Sequence, residues 1–181
     1  MNPGKRIGIV GVTGSGKTTL AKRLASQLCI PRVELDSLYW NAGWQAVKIE
    51  VFRQRVDAAL APGPQGAWVT DGNYRQARDI IWGQADTLVW LDYSLPLAFT
   101  RLLRRTITRI IRREVLYNGN TESIRNTFFS RNSLLLYLFQ SYPRLRATYP
   151  GLLARPEFSH LTVIRLKNPR ETEAWVINQS A

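Results

Sequence analysis

The chain has 181 residues and 45% of them are hydrophobic, which suits one domain with a buried core and excludes an intrinsically disordered chain. Its net charge is +12, and twenty of its 25 basic residues are arginine, which favours partners that carry phosphate or carboxylate groups. The one cysteine, Cys29, excludes an intramolecular disulfide and favours a reducing, cytoplasmic location, and we expect it to fill the core. No apolar run is long enough to predict a membrane span.

Predicted strands alternate with predicted helices along the chain. The predicted strands are 6–10, 32–35, 67–70, 87–91 and 161–166. The predicted helices are 19–28, 49–60, 95–113, 133–149 with a candidate break at Pro143, and one from Pro169, while 80–82 lies in a short helix or turn. Near-continuous apolar strands between helices are typical of a parallel sheet with helices on both faces. We therefore predict an α/β fold of three layers, formed by one domain over residues 1–181.

The first predicted strand leads directly into the segment GVTGSGKT, Gly11 to Thr18, which matches the phosphate-binding loop pattern G-x-x-x-x-G-K-[ST]. Glycines let the backbone approach phosphates closely, and the following helix presents its positive end to them. Lys17 supplies a charge for the β- and γ-phosphates, and the Thr18 hydroxyl is a ligand for Mg²⁺. We therefore predict that the chain binds a nucleoside triphosphate together with Mg²⁺. The predicted nucleotide-binding residues are Gly11, Gly14, Ser15, Gly16, Lys17, Thr18 and Thr19.

Three aspartates, Asp36, Asp71 and Asp92, follow predicted strands, at the edge where parallel sheets bind ligands. Asp71 is a candidate Mg²⁺ ligand together with Thr18, although Asp-Gly is also a common turn. Asp36 binds the acceptor substrate, or accepts its proton, or caps the next turn of helix. The neighbouring Tyr39, with Trp40 and Trp44, forms an aromatic cluster that either stacks on a substrate ring or packs in the core.

Six arginines lie in the predicted helix 95–113. Arg101, Arg105, Arg109 and Arg112 share one face of this helix, and the opposite face carries Phe99, Leu103, Ile107 and Ile110, which we expect to face the core. The arginines either form a solvated basic face or point at the transferred phosphoryl group. The following segment contains Arg125 and Arg131. A lid over the phosphates is predicted at about 105–132.

Several segments resemble those of a known family. They are Gly11 to Thr19, Glu34 to Trp40, Trp44, Asp71 to Arg75, Ala85 to Thr87, Trp90 to Asp92, and the arginine-rich helix with Asn118 to Asn120. Through them nearly the whole chain resembles the adenylate-kinase-related P-loop kinases, and most closely the small bacterial topology modulation, or FlaR-like, proteins. The resemblance implies a five-stranded parallel core and transfer of the γ-phosphate of ATP to a small acceptor.

The resemblance also implies roles for individual residues. Asp71 and Arg75 match the positions that hold magnesium and bind the acceptor's phosphate, although Asn73 and Tyr74 replace the phenylalanine and proline of adenylate kinases. Arg105 and Arg109, with Arg125 or Arg131, correspond loosely to catalytic lid arginines. The segment Lys167 to Pro169, with Asn168, resembles the place where adenine packs. An acceptor-binding region is expected at about 34–60, with Asp36, Arg75 and Tyr39 as substrate residues.

Three hypotheses of function follow. The first is an ATP- and Mg²⁺-dependent kinase with a nucleoside monophosphate as acceptor, or otherwise a small phosphorylated or carboxylated metabolite. The second is a nucleotide-dependent protein that binds nucleic acid, which the +12 charge supports. The third is a nucleotide-binding regulator without transfer. Base-stacking aromatics are absent from the sequence between Arg101 and Arg113, which argues against nucleic acid.

Overall fold

The structure is a computed structural model of the chain, and it describes residues 5–61, 66–121 and 133–179. Its strands are β1 (Arg6–Gly11), β2 (Arg32–Glu34), β3 (Trp40–Asn41), β4 (Gln45–Ala46), β5 (Trp68–Asp71), β6 (Thr87–Leu91) and β7 (Thr162–Leu166). Its helices are α1 (Lys17–Leu28), α2 (Leu35–Tyr39), α3 (Ile49–Leu60), α4 (Arg78–Gln84), α5 (Leu95–Ile111), α6 (Leu134–Leu153) and α7 (Pro169–Ile177). Short 3₁₀ turns cover Ala42–Trp44, Arg75–Ala77, Tyr117–Gly119 and Pro156–Phe158.

Five strands form a parallel sheet in the order β2-β5-β1-β6-β7, which confirms the predicted fold class. Strand β1 lies at its centre, with Ile9 beside Asp71 of β5 and Gly11 beside Leu91 of β6. The chain therefore leaves β1 between two neighbouring strand ends, at the crevice where open α/β sheets bind ligands. A separate two-stranded antiparallel hairpin pairs β3 with β4.

The core lies on both faces of the sheet because side chains alternate along its buried strands. Ile7, Ile9 and Val89 pack with α1 and α7 on one face. Val10, Trp68, Leu88 and Trp90 pack with α3, α4, α5 and α6 on the other. Among the described helices, none is both long enough and apolar enough to cross a bilayer.

Helix α6 runs unbroken through Pro143 and Pro150, so the candidate break at Pro143 is not observed. An ion-pair cluster attaches this helix to the sheet. Asp92, which follows β6 and is buried, accepts hydrogen bonds from Arg146 of α6 at 2.7 Å and from Arg165 of β7 at 2.5 Å. A buried carboxylate with two guanidinium partners keeps its charge satisfied. The cluster therefore fixes the position of the α6 residues that face the site described below.

Two expectations about side-chain burial are wrong. Cys29 is exposed, because it ends α1 in a left-handed conformation with φ of 54°. The buried side of α5 carries Ala98, Leu102 and Thr106, whereas Ile107 is 45% exposed and does not face the core. The phosphate loop explains the rotation of α5, since Gly14 packs directly against Ala98 and Leu102 and has no Cβ atom that would prevent this approach.

Candidate functional site

A cavity of about 1330 Å³ opens at the carboxyl ends of the central strands. Its lining combines the phosphate loop, the end of β5, the segment 36–44, and helices α5 and α6. The residues that line it include Lys17, Thr18, Asp36, Tyr39, Trp40, Trp44, Asp71, Tyr74, Arg75, Arg78, Arg105, Arg109, Tyr117 and Arg144. The candidate residues Lys17, Thr18, Asp36, Tyr39, Asp71, Arg75, Arg105 and Arg109 thus share one cavity.

The phosphate loop connects β1 to α1 and needs glycine for its path. Gly14 has φ of +80°, and a Cβ atom there would lie 2.2 Å from the carbonyl oxygen of Ala98. Gly11 is held by Asn73, whose side chain accepts from its N–H at 3.1 Å and donates to its carbonyl oxygen at 2.6 Å. Ser15 is buried within the loop, and Gly16 is the N-cap of α1. The amino end of α1 therefore faces the cavity as an anion site.

Lys17 is the cation of this loop. Its Nζ donates to the carbonyl oxygen of Val12 at 3.0 Å. Burial lowers the pKa of Lys17 to about 8, while the charges of Asp71 and Asp36 act in the opposite direction and that of Arg105 adds to the lowering. A bound polyphosphate would supply the negative charge that restores the ammonium form.

Thr18 and Asp71 form the candidate metal site. The Thr18 hydroxyl donates to Oδ2 of Asp71 at 2.7 Å, so a hydroxyl and a carboxylate oxygen lie side by side next to the phosphate loop. Oxygen ligands of this kind fit Mg²⁺. Arg32 lies on the other side, with a nitrogen 3.4 Å from Oδ1 of Asp71 and a second contact to Glu34. The sequence prediction missed Arg32, whose guanidinium group neutralises part of the negative charge of Asp71 and Glu34.

Asp36 projects from the first turn of α2, where Glu34 is the N-cap residue, so capping is not its role. The phenol of Tyr74 donates to Oδ1 of Asp36, and the phenol of Tyr117 lies in the same cavity. Burial raises the pKa of Asp36, which the two phenols partly offset. Tyr39 packs edge-on against Phe52 and is tilted against Tyr74. Tyr39 is therefore a core residue and a cavity residue at once.

Arginines surround the rest of the cavity. Arg105 and Arg109 reach it from α5, and Arg109 also lies 3.7 Å from Glu114. The exposed Arg75 lines it as well, together with Arg78 and Arg144, for which the sequence alone gave no signal. Partial burial and the charges of neighbouring arginines, Arg75 and Arg144 among them, lower the pKa of Arg78. Like charges held together in this way favour an anionic ligand between them.

Some predicted site residues lie elsewhere or outside the description. Asn168 is not among the described residues that line the cavity, and its side chain caps α7 by accepting from the N–H of Glu171 at 3.0 Å. Thr19 is exposed in the first turn of α1. Arg125 and Arg131 lie outside the described residues, as does the lid segment from 122 to 132.

Known proteins resemble this chain in part of its sequence and in its fold. No family model matches the chain. It is 33% identical over 106 residues to the shikimate kinase of Rhodopirellula baltica, and the match covers 52% of this chain and 57% of that protein. The chain therefore spans little more than half of that relative.

Solved structures extend the likeness to the whole fold. A gluconokinase from Sinorhizobium meliloti superposes with a TM-score of 0.55 and 17% identity, over 99% of this chain and 95% of that one. A shikimate kinase from Acinetobacter baumannii in complex with shikimate gives a TM-score of 0.55 and 16% identity, over 95% and 88%. The chain has the α/β fold of these P-loop kinases. The closer resemblance to topology modulation proteins stays a prediction.

Proposed function

We propose that this protein is an ATP- and Mg²⁺-dependent kinase that transfers the γ-phosphate to a hydroxyl group of a small anionic acceptor. The observation that carries the proposal is that one cavity joins two kinds of site. Its phosphate-loop end holds Lys17, Thr18 and Asp71, and Asp36 with its phenol partner Tyr74 faces the same space. Phosphoryl transfer requires mainly positioning and positive charge, and this cavity provides both.

Residues of this chain have distinct parts in the proposed step. Thr18 and Asp71 would hold Mg²⁺, which supplies charge neutralisation to the phosphates. Asp36 accepts the proton of the acceptor hydroxyl as its oxygen bonds to the γ-phosphorus. The bond from that phosphorus to the β–γ bridging oxygen breaks, and ADP leaves with its electrons. Arg105 and Arg109, together with Lys17, stabilise the negative charge of the transition state.

The acceptor class follows from the cations beyond Asp36. Arg75, Arg78 and Arg144 line the cavity, and a carboxylate or phosphate on the acceptor would lie among them. A gluconokinase and a shikimate-bound kinase share the fold, which favours a hydroxylated carboxylate over the nucleoside monophosphate that the family resemblance predicts. Residues 34–60 are proposed to form the acceptor side, and α5 with the turn that follows it, up to Thr121, the phosphate-covering side.

The adenine is proposed to lie beside the segment 167–169, as the resemblance implies, with contacts to the backbone of Asn168. Nearby, the Arg101 guanidinium stacks over Tyr93 at 5.4 Å, and the Tyr93 hydroxyl lies 2.6 Å from that of Thr172 on α7. Arg101 also reaches the carbonyl oxygen of Ser15 in the phosphate loop, at 3.4 Å. The phosphate loop and α7 are therefore linked on this side, where a base could stack.

An acceptor screen tests the proposal. ADP release with ATP and Mg²⁺ is measured for shikimate, gluconate, other hydroxy acids, sugar phosphates and all nucleoside monophosphates. We expect acceptor-stimulated ADP release with at least one hydroxylated carboxylate, and its loss in Lys17→Ala. Undiminished turnover in Lys17→Ala would refute the assignment. ATP binding without stimulation would indicate a regulator, and tight DNA binding that weakens steeply with salt would indicate a nucleic-acid-binding protein.

A further inference from the structure

Asn120 joins the turn after α5 to the β3–β4 hairpin, far away in sequence. Its amide nitrogen donates to the carbonyl oxygens of Asn41, at 2.9 Å, and of Tyr117, at 2.8 Å. Its side-chain oxygen accepts from the backbone N–H of Trp44 at 2.8 Å. The residue is 3% exposed, so these bonds are shielded from water. A buried amide with three partners fixes the two segments relative to each other.

Asn118 makes a second connection between the same segments. Its amide donates to the carbonyl oxygens of Ser37, at 3.2 Å, and of Trp40, at 2.5 Å, while its own backbone is left-handed with φ of 53°. The indole N–H of Trp44 donates to the carbonyl oxygen of Thr121 at 3.1 Å. Each of the two segments thus donates hydrogen bonds to the other.

The contact connects the two functional sides of the cavity. The turn it fixes carries Tyr117, which lines the same cavity as Asp36 and helps to lower the pKa of that carboxyl group. The same turn follows α5, which places Arg105 and Arg109 on the phosphate side. A shift of α5 must therefore be transmitted to the hairpin and to Tyr117.

We propose that Asn118 and Asn120 are positioning residues that couple the acceptor wall of the cavity to the arginine-bearing helix α5. The inference rests on the proposed function for what the coupling achieves. Binding at the phosphate side stabilises the hairpin, and acceptor binding stabilises the arginines in return, since coupling between two sites is reciprocal. Breaking the contact leaves each side able to bind alone.

Hydrogen exchange with AMP-PNP and Mg²⁺ as the probe tests the coupling without any acceptor. In the unmodified protein, we expect nucleotide to slow exchange of the hairpin amides of Trp44 and Val47 by about fivefold or more. Asn118→Gly keeps the left-handed backbone and removes the amide, and it should bind AMP-PNP normally but lose this slowing. Asn178→Ala, an exposed asparagine at the end of α7, is the control and should retain it.

Kinetics give a second readout with the hydroxy acid that the screen identifies. Asn118→Gly, which loses two hydrogen bonds, and Asn120→Ala, which loses three, should each raise the acceptor KM about tenfold or more, with the Kd for AMP-PNP alone unchanged. The inference would be overturned if AMP-PNP does not change the exchange rate of the hairpin amides in the unmodified protein. It would also be overturned if AMP-PNP slows this exchange equally in the unmodified protein and in Asn118→Gly. A screen with no substrate refutes the proposed function, whereas the exchange experiment still decides the coupling. Should Asn120→Ala fail to fold, Asn118→Gly decides alone.

Discussion

The hydroxyl of Thr18 and the carboxylate of Asp71 form a hydrogen bond of 2.7 Å across 53 residues of sequence. Parallel pairing of β1 with β5 explains the contact, because it brings the end of β5 beside the start of α1. We expect Asp71→Asn to weaken the binding of Mg²⁺ by about 10- to 100-fold, since an amide oxygen replaces a charged ligand. A titration of ADP release with Mg²⁺ measures the change.

The control for this prediction is Asp57→Asn, which removes an acidic charge from α3. Asp57 accepts a hydrogen bond from Gln84 at 3.1 Å, and an asparagine oxygen can replace it. Its Mg²⁺ dependence should match that of the unmodified protein. Equal Mg²⁺ requirements in Asp71→Asn and Asp57→Asn would exclude Asp71 from the metal site.

Lys17 makes nucleotide binding depend on pH. Its pKa of about 8 means that the ligand-free protein holds a neutral lysine above this pH, whereas the phosphates require the charged form. The affinity for ATP should therefore fall by up to about tenfold per pH unit above pH 8, with uptake of a proton on binding. Calorimetry in two buffers of different ionisation enthalpy measures this uptake. Lys17→Arg stays charged, and its affinity should not change over the same range.

Deprotonation of Lys17, which weakens ATP binding, should stabilise the ligand-free fold. Between pH 8 and the ordinary lysine value of 10.5, the unfolded chain binds more protons at this position than the folded one. The contribution of Lys17 to the free energy of unfolding therefore rises with pH across this window. Denaturant unfolding of the ligand-free protein should show the rise between about pH 8 and 9, below the ordinary tyrosine pKa of 10.0, and Lys17→Met should lack it. Lys22→Met, at an exposed position of α1, should keep it.

Asp36→Asn is expected to lose activity and gain stability. Burial raises the pKa of Asp36, so the stability it contributes in acid is lost as pH rises above the ordinary value of 3.8. At neutral pH the charged carboxylate is therefore destabilising, whereas asparagine keeps an oxygen for Tyr74. We expect kcat to fall about 10²- to 10⁴-fold and the melting temperature to rise by about 2 to 4 °C. A variant that is both fully active and unchanged in melting temperature would contradict the role of Asp36.

The parts of the site that the sequence predicts are those in which neighbouring residues act together. The loop Gly11 to Thr18 is one continuous motif, and Asp71 follows an apolar strand whose end position is set by the parallel sheet. Local pattern was sufficient there because the loop motif is continuous in sequence and the strand before Asp71 is buried along its whole length.

Other parts depend on tertiary contacts that sequence periodicity does not contain. The helical pattern predicts that Ile107 faces the core. Contact between Gly14 and Ala98 instead rotates α5 so that Ile107 is exposed. Two of the three partners of Asn120 lie 76 and 79 residues away, and an isolated asparagine in a turn gives no sign of them. The sequence from Tyr117 to Asn120 therefore predicts a turn, but it does not predict that this turn is bonded to the β3–β4 hairpin.

Gly14 offers the sharpest test of how the phosphate loop and α5 depend on each other. A Cβ atom at this position would lie 2.2 Å from the carbonyl oxygen of Ala98 and 3.0 Å from the Leu102 side chain, and φ of +80° is strained for alanine. Gly14→Ala must therefore push α5 away from the loop and move Arg105. We expect the free energy of unfolding to fall by about 1 to 3 kcal/mol and ATP affinity to fall with it.

Gly83→Ala is the matched substitution for the same measurement. Gly83 lies inside α4, and a Cβ atom there would meet nothing within 4 Å among the described residues. Alanine should therefore raise the free energy of unfolding by about 0.5 to 1 kcal/mol and leave ATP affinity unchanged. Opposite signs for the two variants in urea unfolding would separate the contact at Gly14 from a general effect of glycine replacement. If Gly14→Ala unfolds at the same urea concentration as the unmodified protein, the close packing of loop and helix is refuted.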